Sequence, residues 1–181
     1  MSKIKGERIC LCEPQSGDAA EITRVLSREE IYATTYGIPK NCDMNYAKWW
    51  INFVKSSRKN KTGFEFVIYT HNGRYVGNCA INNISKSCMH GNLTYLIDPK
   101  LWGQGYATEA AKLVIKYGFE SLGLERISGI CMVHNAASEQ VLQKAGLTYE
   151  GKARHEILKD ETFVDVLHYG IIRSDWEAMQ R

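Results

Sequence analysis

The sequence predicts one α/β domain over residues 1–181, built on a mixed and mostly antiparallel sheet that helices flank. The length of 181 residues fits one domain of ordinary size. Apolar residues recur with a strand period in some segments and with a helix period in others. The order of these segments is β-α-α-β-β-β-α-β-α-β-β, which differs from the regular strand–helix alternation of a doubly wound fold.

The N-terminal elements are one strand and two helices. Arg8–Cys12 is a strand that ends before Pro14, and a helix follows Ser16-Gly17-Asp18 and runs through Leu26. A second helix covers Asn45–Lys59, where four aromatic residues recur at helical spacing: Tyr46, Trp49, Trp50 and Phe53. Because a stripe of this kind usually belongs to the core, we expect the four rings to be buried.

Three strands follow in antiparallel order. Gly63–Thr70 and Arg74–Asn82 flank His71-Asn72-Gly73, and Asn-Gly is a strong signal for a hairpin turn. The third strand, Gly91–Asp98, ends before Pro99. These signals place the three strands side by side.

The C-terminal half alternates helices and strands. The long helix Gln104–Leu122 has an apolar stripe on one face, and Gly123 ends it. The elements after it are the strand Arg126–Val133, the helix Ala136–Ala145, and the strands Leu147–Leu158 and Thr162–Ile172. Two helical crossovers in this half make the sheet mixed.

Charge and hydropathy exclude several classes of protein. The net charge is +3 with both signs interspersed, so we expect no direct nucleic-acid partner. Apolar runs such as Phe66–Tyr69 are far shorter than the ~20 residues of a membrane span. The polar segment Met1–Arg8 lacks the apolar region of a signal peptide, so we expect a cytoplasmic protein without a membrane partner.

The six cysteines do not follow the pattern of a metal site. No C-x-x-C is present, and only Cys10-x-Cys12 comes near the spacing of zinc ligands. We therefore expect no metal and mostly buried, free thiols, as is usual in a reducing compartment. A metal or disulfide role for some of them stays open. The cysteines are Cys10, Cys12, Cys42, Cys79, Cys88 and Cys131.

The segment between the strand Gly91–Asp98 and the long helix is the most informative. A helix N-terminus presents backbone N–H groups without an intrahelical partner, and Gly103 and Gly105 let a ligand approach closely. This predicts a pocket for phosphate groups, with a tight strand-to-helix turn as the alternative. The P-loop string is absent, and the dinucleotide pattern lacks its third glycine, where Thr108 stands.

This segment resembles motif A of the GNAT acetyltransferases. The family pattern Q/R-x-x-G-x-G/A reads Trp102-x-x-Gly105-x-Ala107 here. Tryptophan at the first position departs from the general pattern but is familiar in one branch, the enzymes that acetylate the N-terminal alanine of ribosomal proteins. That branch is the one this chain resembles most.

A second motif follows in the order that the family has. Asn135–Gly151 resembles the next family motif, with Leu147 where phenylalanine is usual. The resemblance extends from Arg8 to Trp176, nearly the whole chain. It implies the GNAT fold, whose central sheet splays at the acyl-CoA site.

The resemblance implies acetyl-CoA as co-substrate. Its pyrophosphate is expected on the N–H groups that begin the long helix, and its pantetheine arm along the splayed strand. Asn135 is expected to contact the pantetheine arm or to cap its helix, and Lys144 to reach the 3′-phosphate or stay in solvent. The expected contacts are Leu96, Ile97, Trp102, Gly103, Gln104, Gly105, Tyr106, Ala107, Thr108, Asn135 and Lys144.

The implied reaction is direct attack of a neutral amine on the thioester carbonyl. An N-terminal α-amine, with a pKa of roughly 7.7–8.0, is about a tenth neutral at pH 7, whereas a lysine is below ~0.1% neutral. A protein N-terminus, such as that of a ribosomal protein, is therefore the favoured acceptor. Small amines, polyamines or antibiotics are alternatives, and a non-catalytic acyl-CoA-binding module is an alternative of another class. The chain is expected to be a monomer or a homodimer.

The acid of the reaction is assigned through the resemblance. In this branch a serine on the short helix faces the sulfur, which implies Ser138 as the group that protonates the leaving thiolate. A bond from Ser138 to the helix backbone is the alternative. Tyr149, further along the chain, is expected to pack rather than to act.

The base is harder to assign. Many relatives have a glutamate on the central strand where this chain has Asn92, and asparagine cannot accept the amine proton. The resemblance then points to Glu156, with His155 on the opposite side of the strand and His134 as alternatives. The segment Tyr32–Lys40 lies between helices that form a wall of the acceptor site in this family, so we expect a mobile loop that sorts acceptors.

Overall fold

The structure is a computed structural model, and it describes residues 3–181. Met1 and Ser2, which begin the polar N-terminal segment, lie outside the described residues. The elements are β1 (Lys3–Lys5), β2 (Ile9–Cys12), α1 (Ala19–Leu26), α2 (Glu29–Thr34), α3 (Met44–Asn60), β3 (Phe64–Thr70), β4 (Tyr75–Ser85), β5 (His90–Ile97), α4 (Tyr106–Glu120), β6 (Arg126–Met132), α5 (Ala136–Lys144), β7 (Thr148–Lys159), β8 (Thr162–Ile172) and α6 (Arg173–Ala178).

All the strands belong to one eight-stranded sheet with the order β1-β2-β3-β4-β5-β6-β8-β7. Each neighbouring pair is antiparallel except β5 and β6, which are parallel and are connected through α4. The predicted α/β class with a mixed, mostly antiparallel sheet is confirmed. The long helix provides the crossover that a parallel pair requires.

The sheet opens between β5 and β6. His90–Asn92 pairs with Arg126–Ser128, while β5 continues to Ile97 in register with β4. The two strands therefore diverge after Asn92, and the expected splay is confirmed. Backbone N–H and C=O groups along the open edge of β5 become available to a ligand, because each needs a hydrogen-bond partner.

The two faces of the sheet differ in what covers them. On one face α4 packs on the main core, in which Phe66, Phe119 and Tyr169 are fully buried. On the other face α1, α2 and α3 cover the strands near the N-terminus through residues such as Ile22 and Val67. The rest of that face carries a smaller cluster on β6, β7 and β8, made of Met132, Ile157 and Val166.

The sequence analysis missed three short elements, β1, α2 and α6. Ile31 is the one residue of α2 that is buried, so the sequence of this helix shows no apolar stripe. Tyr32 and Thr34 therefore belong to a helix and not to the expected loop. In β1 the two lysines are exposed on either side of Ile4, a pattern too short to identify a strand.

The expected burial of the aromatic stripe on α3 is wrong for two of its four rings. Trp49 is 56% exposed and Phe53 is 55% exposed, and their rings stack on each other. The residues that α3 buries are Ala47, Ile51 and Val54. These smaller side chains let the helix lie close to the sheet, which leaves the larger rings on the outward side.

The cysteines are free thiols, and most of them are buried, as predicted. Cys12 is half-buried and Cys88 is exposed; the buried ones are Cys10, Cys42, Cys79 and Cys131. Within residues 3–181, no group of three or more His, Cys, Asp or Glu side chains is arranged to hold a metal ion. In the same range no helix combines the length and the apolar character needed to cross a bilayer.

Candidate active site

Asp98 fixes the point where the chain leaves β5. Its side chain is 2% exposed; one carboxylate oxygen accepts from the Lys100 N–H at 3.1 Å and the other from Arg24 at 2.7 Å. Burial raises the pKa of Asp98, but the bonds to Arg24 and Lys100 outweigh burial and leave that pKa below its ordinary value. The carboxylate is therefore charged, and it holds the turn that precedes α4.

Two glycines shape the N-terminus of α4. Gly103 and Gly105 have φ of +74° and +80°, a region that side chains with a Cβ rarely adopt. The first backbone bond of the helix runs from Glu109 N to the Gly105 carbonyl at 3.1 Å, and no described side chain caps this end. The N–H groups of residues 106–108 thus have no intrahelical acceptor and lie at the positive end of the helix dipole.

Arg8 braces this turn from the segment before β2. Its Nη1 donates to the Gln104 carbonyl at 2.9 Å, its Nε donates to Glu109 at 2.9 Å, and its guanidinium lies 4.8 Å from the Tyr106 ring centre. The sequence analysis missed Arg8, because Arg8 and Glu109 are 101 residues apart and no local pattern connects them. The ion pair with Glu109 holds the guanidinium beside the free N–H groups.

A cavity of about 910 Å³ opens at the splay, between β5, α4 and α5. This volume is typical of sites for cofactors. Gln104 does not line it, since its side-chain amide donates to the Lys100 carbonyl at 3.5 Å. All the other predicted acetyl-CoA contacts line the cavity: Leu96, Ile97, Trp102, Gly103, Gly105, Tyr106, Ala107, Thr108, Asn135 and Lys144.

Two of these side chains form hydrogen bonds within the protein. Asn135 caps α5, because its Oδ1 accepts from the Ser138 N–H at 3.0 Å, and its Nδ2 donates to the Thr34 carbonyl at 3.1 Å. The Trp102 indole donates to the Ile97 carbonyl at 2.8 Å. The expected helix cap by Asn135 is thus present, and the cap keeps Asn135 at the cavity wall.

Ser138 also lines the cavity, and its hydroxyl meets a tyrosine that the sequence analysis missed. The Tyr95 hydroxyl lies 2.8 Å from Ser138 Oγ and donates to the Ser138 carbonyl at 2.9 Å. Burial raises the pKa of Tyr95 above its usual range. An aromatic residue inside a strand normally indicates core, so the sequence holds no signal for this contact.

Asn92 lies on the opposite face of β5 and belongs to a chain of neutral polar groups. Ser128 donates to Asn92 Oδ1 at 2.9 Å, and Ser128 Oγ lies 2.8 Å from His90 Nε2. Since Ser128 has one proton, His90 Nε2 carries the proton of the second bond. Burial and, second, the charge of Arg126 lower the pKa of His90. The position where relatives have a carboxylate is therefore uncharged here.

Glu156 lies on β7, outside the lining of the cavity. Its carboxylate pairs with His168 Nε2 of β8 at 2.5 Å, and both side chains are 38% exposed. Burial and, second, the charge of Glu156 raise the pKa of Tyr36, so this carboxylate lies near the segment after α2. That segment is the one predicted to sort acceptors.

His155, Tyr149 and His134 lie at three different places in the fold. A break in the register between β7 and β8 includes His155, which has φ of +57° and stacks on Phe163. Tyr149 packs on Tyr169, with ring centres 5.5 Å apart, and it is still 52% exposed because β7 is the edge strand of the sheet. His134 is exposed at the end of β6.

The β7–β8 hairpin forms hydrogen bonds with the C-terminal end of α2. Lys159 donates to the Tyr32 carbonyl and, at 2.7 Å, to the Thr35 carbonyl. The Tyr32 hydroxyl donates to Asp160. Together with the bond from Asn135 to Thr34, these contacts attach the expected acceptor segment to the β7–β8 hairpin and to the start of α5.

The comparison with protein families decides the class. Residues 8–148 match the acetyltransferase (GNAT) domain. The chain belongs to the GNAT acetyltransferase family. It is an N-acetyltransferase by class. The GNAT resemblance of the two sequence motifs is thereby confirmed.

Similar proteins include enzymes with different acceptors. The uncharacterized N-acetyltransferase YoaA of Bacillus subtilis is 26% identical over 171 residues, 94% of this chain and 96% of that protein. Spermidine N(1)-acetyltransferase of Escherichia coli is 30% identical over 83 residues, 46% of this chain and 45% of that protein. The solved structure of RimL, a ribosomal L7/L12 alpha-N-protein acetyltransferase in complex with coenzyme A, has a TM-score of 0.88 at 15% identity, with 94% and 98% of the chains covered. A ribosomal-protein acetyltransferase thus shares the fold.

Proposed function

We propose that this GNAT enzyme transfers an acetyl group from acetyl-CoA to a primary amine, with the α-amine of a protein N-terminus as the favoured acceptor. The cavity at the splay carries the proposal. It combines an uncapped helix N-terminus, the open edge of β5 and the Ser138 hydroxyl in one space. These features suit the phosphates, the pantetheine arm and the sulfur of acetyl-CoA, in that order.

The donor binds mainly through backbone groups. The pyrophosphate binds the free N–H groups of residues 106–108, where Gly103 and Gly105 leave room for it. Arg8 and Lys144 line the same cavity; Arg8 is paired with Glu109, so Lys144 supplies the positive charge and is the group for the 3′-phosphate. The pantetheine arm follows the open edge at Tyr95 and the Ile97 N–H, because the Leu96 backbone faces β4 and the Ile97 carbonyl already accepts from Trp102.

The chemical step needs few side chains. The neutral amine attacks the thioester carbon, and a backbone N–H of the splayed half of β5 stabilises the oxyanion. The carbon–sulfur bond then breaks with its electron pair on sulfur. Ser138 gives its hydroxyl proton to the thiolate and recovers one through water, which carries back the proton that the amine released. The products are the amide and the free thiol of CoA.

Glu156 is the group that takes the proton of the amine, through water. His168 holds its carboxylate, and its charge reaches Tyr36 on the acceptor side. Asn92 cannot take this role because its side chain is a neutral amide bonded to Ser128. An α-amine needs a weaker base than a lysine side chain does, because a much larger fraction of the α-amine is already neutral at pH 7.

Charge on the acceptor side favours a single α-amine over a polyamine. Glu150 is paired with Arg126 through two bonds of 2.6 and 2.5 Å, and Glu156 is paired with His168. Both β7 carboxylates thus already have hydrogen-bond partners, whereas a polycation binds best to carboxylates that are free to pair. A small amine stays the second candidate because the spermidine enzyme is similar to part of this chain.

We also propose a cytoplasmic location and one domain over residues 1–181, with a ribosomal protein as the kind of substrate. Six free thiols are typical of a reducing compartment. The donor and the N-terminus of a new protein are both present there.

The test is calorimetry with acetyl-CoA followed by an acceptor screen that detects the free thiol of CoA. The panel contains peptides that begin with alanine or serine, the same peptides with a blocked N-terminus, spermidine and an aminoglycoside. We expect binding of acetyl-CoA and thiol release with the free peptides. Binding without release for any amine would contradict the proposal, and release with spermidine alone would replace the favoured acceptor by the second candidate.

A further inference from the structure

Tyr95 lies on β5 just beyond the point where β5 leaves β6. Pairing with β6 ends at Asn92, and the Tyr95 side chain is on the face of the sheet that meets α5. Its hydroxyl contacts the hydroxyl and the carbonyl of Ser138, and the Ser138 N–H donates to Asn135. The side chains of Tyr95 and Asn135, both in the cavity wall, therefore contact the hydroxyl, the carbonyl and the N–H of Ser138.

The contact between Tyr95 and Ser138 has two hydroxyl protons, one from each residue, and these can be arranged in two ways. A carbonyl oxygen only accepts, so while Tyr95 donates to the Ser138 carbonyl, the Ser138 hydroxyl donates to the Tyr95 oxygen. When a sulfur atom occupies the cavity, the Ser138 proton can turn to the sulfur. The Tyr95 proton is then free to turn to Ser138 Oγ. Both changes are rotations of a hydroxyl group, and no side chain has to move.

Tyr95 keeps its own proton during this exchange. Burial raises the pKa of Tyr95 more than the bond to Ser138 lowers it. The phenolate is therefore strongly disfavoured at neutral pH, and the hydroxyl acts as a hydrogen-bond donor rather than as a source of protons.

We propose that Tyr95 is a positioning residue for the acid step: it holds the Ser138 hydroxyl at the cavity wall and donates to Ser138 Oγ while the Ser138 proton passes to sulfur. The inference rests on the proposed function, in which Ser138 protonates the thiolate. The electron pair of the broken carbon–sulfur bond takes the Ser138 proton, and water returns one to Ser138. The bond from Tyr95 stabilises the negative charge that develops on Oγ in between.

The fold offers a matched control in Tyr169. This tyrosine is buried on β8; its hydroxyl donates to Glu139 at 2.7 Å and accepts from Gln143 at 3.1 Å, both on α5. Tyr169→Phe therefore removes a hydroxyl that anchors the same helix but does not contact Ser138. A purely structural role of Tyr95 predicts equal effects from the two substitutions.

The experiment compares steady-state kinetics of Tyr95→Phe and Tyr169→Phe with the best acceptor of the panel, and calorimetry with acetyl-CoA shows that each variant is folded. We expect Tyr95→Phe to lower kcat about tenfold with KM for acetyl-CoA within about twofold, and Tyr169→Phe to change kcat less than about twofold. When Ser138 is already alanine, Tyr95→Phe should change kcat less than about twofold.

Either of two results would overturn the role of Tyr95 and leave acetyl transfer standing. One is an equal loss of kcat from the two tyrosine variants. The other is an undiminished effect of Tyr95→Phe in the Ser138→Ala protein. A wild-type protein that binds acetyl-CoA but releases no thiol with any amine would instead overturn the proposed function, and the role of Tyr95 with it.

Discussion

The donor side and the acceptor side of this active site are encoded in different ways. Most of the donor side comes from one continuous segment, the turn between β5 and α4, and its expected contacts are largely backbone N–H groups. The proposed acceptor side combines Tyr36 after α2, Asn92 on β5 and Glu156 on β7. The donor side therefore depends on main-chain geometry, whereas the acceptor side depends on side chains that the fold brings together.

This difference explains why a family can keep one donor and change its acceptor. A cradle of N–H groups tolerates many side chains if the glycine conformations remain, because the backbone provides the contacts. Side chains on separate strands can be replaced one at a time without disturbing that cradle. The neutral group Asn92, in place of the usual carboxylate, is a change of this second kind.

The largest expected effect is on the donor side, from Gly105→Val. The substitution places a β-branched residue at φ +80° and a Cβ 3.2 Å from Arg8, so we expect acetyl-CoA affinity to fall more than about 100-fold by calorimetry. Gly123→Val is the control, because Gly123 follows the other end of α4 at φ +68° with open space around it. Equal losses of affinity in the two variants would contradict the proposal that the phosphates of acetyl-CoA bind at the Gly105 turn.

Ser138→Ala tests the link between the two sides. We expect kcat to fall about 100-fold, because the thiolate loses its acid, while the acetyl-CoA dissociation constant stays within about twofold. Ser128→Ala is the matched control on the acceptor face, where Ser128 bonds Asn92, and it should lower kcat much less. If Ser138→Ala weakens binding and turnover by the same factor, Ser138 is structural.

Glu156→Gln tests the acceptor side. We expect kcat/KM at pH 7 to fall about tenfold, since glutamine cannot accept the amine proton. Glu150→Gln, on the same strand and paired with Arg126, should keep kcat/KM within about twofold of the wild-type value. A wild-type kcat/KM in Glu156→Gln would dismiss Glu156 as the base.

The smallest expected effect is on stability, from Asp98→Asn. The folded-state pKa of Asp98 is lowered, so its charge stabilises the fold at neutral pH, and this contribution is lost as the pH falls below about 3.8. We expect a loss of about 1–2 kcal/mol at pH 7, limited because Arg24 is 40% exposed. Urea unfolding at pH 7 and at pH 3 measures it. A loss that is the same at both pH values would contradict the ion-pair explanation.

The sequence predicts those features of the fold that depend on residues close to one another in the chain. The hairpin at His71-Asn72-Gly73, the long helix and the turn at Gly103 and Gly105 follow from residues that are close in the chain. The splay also followed, but only through the resemblance to a family. Local patterns therefore predict the turn and the helix N-terminus on which the proposed donor site rests.

Contacts between distant segments were beyond such patterns. Arg8 meets Glu109, and Tyr95 meets Ser138, across long stretches of chain, and neither residue type marks the contact. The stripe with Trp49 and Phe53 had the helical period of a core face, yet the buried face of α3 is centred about 100° further round the helix. Periodicity shows that a helix has two faces, and the shape of the surface it lies on decides which one is inside.

The most direct test of acetyl transfer to an N-terminal α-amine is mass spectrometry of one peptide after reaction with acetyl-CoA. The peptide begins with alanine and has one internal lysine, and its twin has a blocked N-terminus. We predict one acetyl group on the α-nitrogen of the free peptide and an unchanged twin. Acetylation of the lysine at the same rate in both peptides would contradict the account.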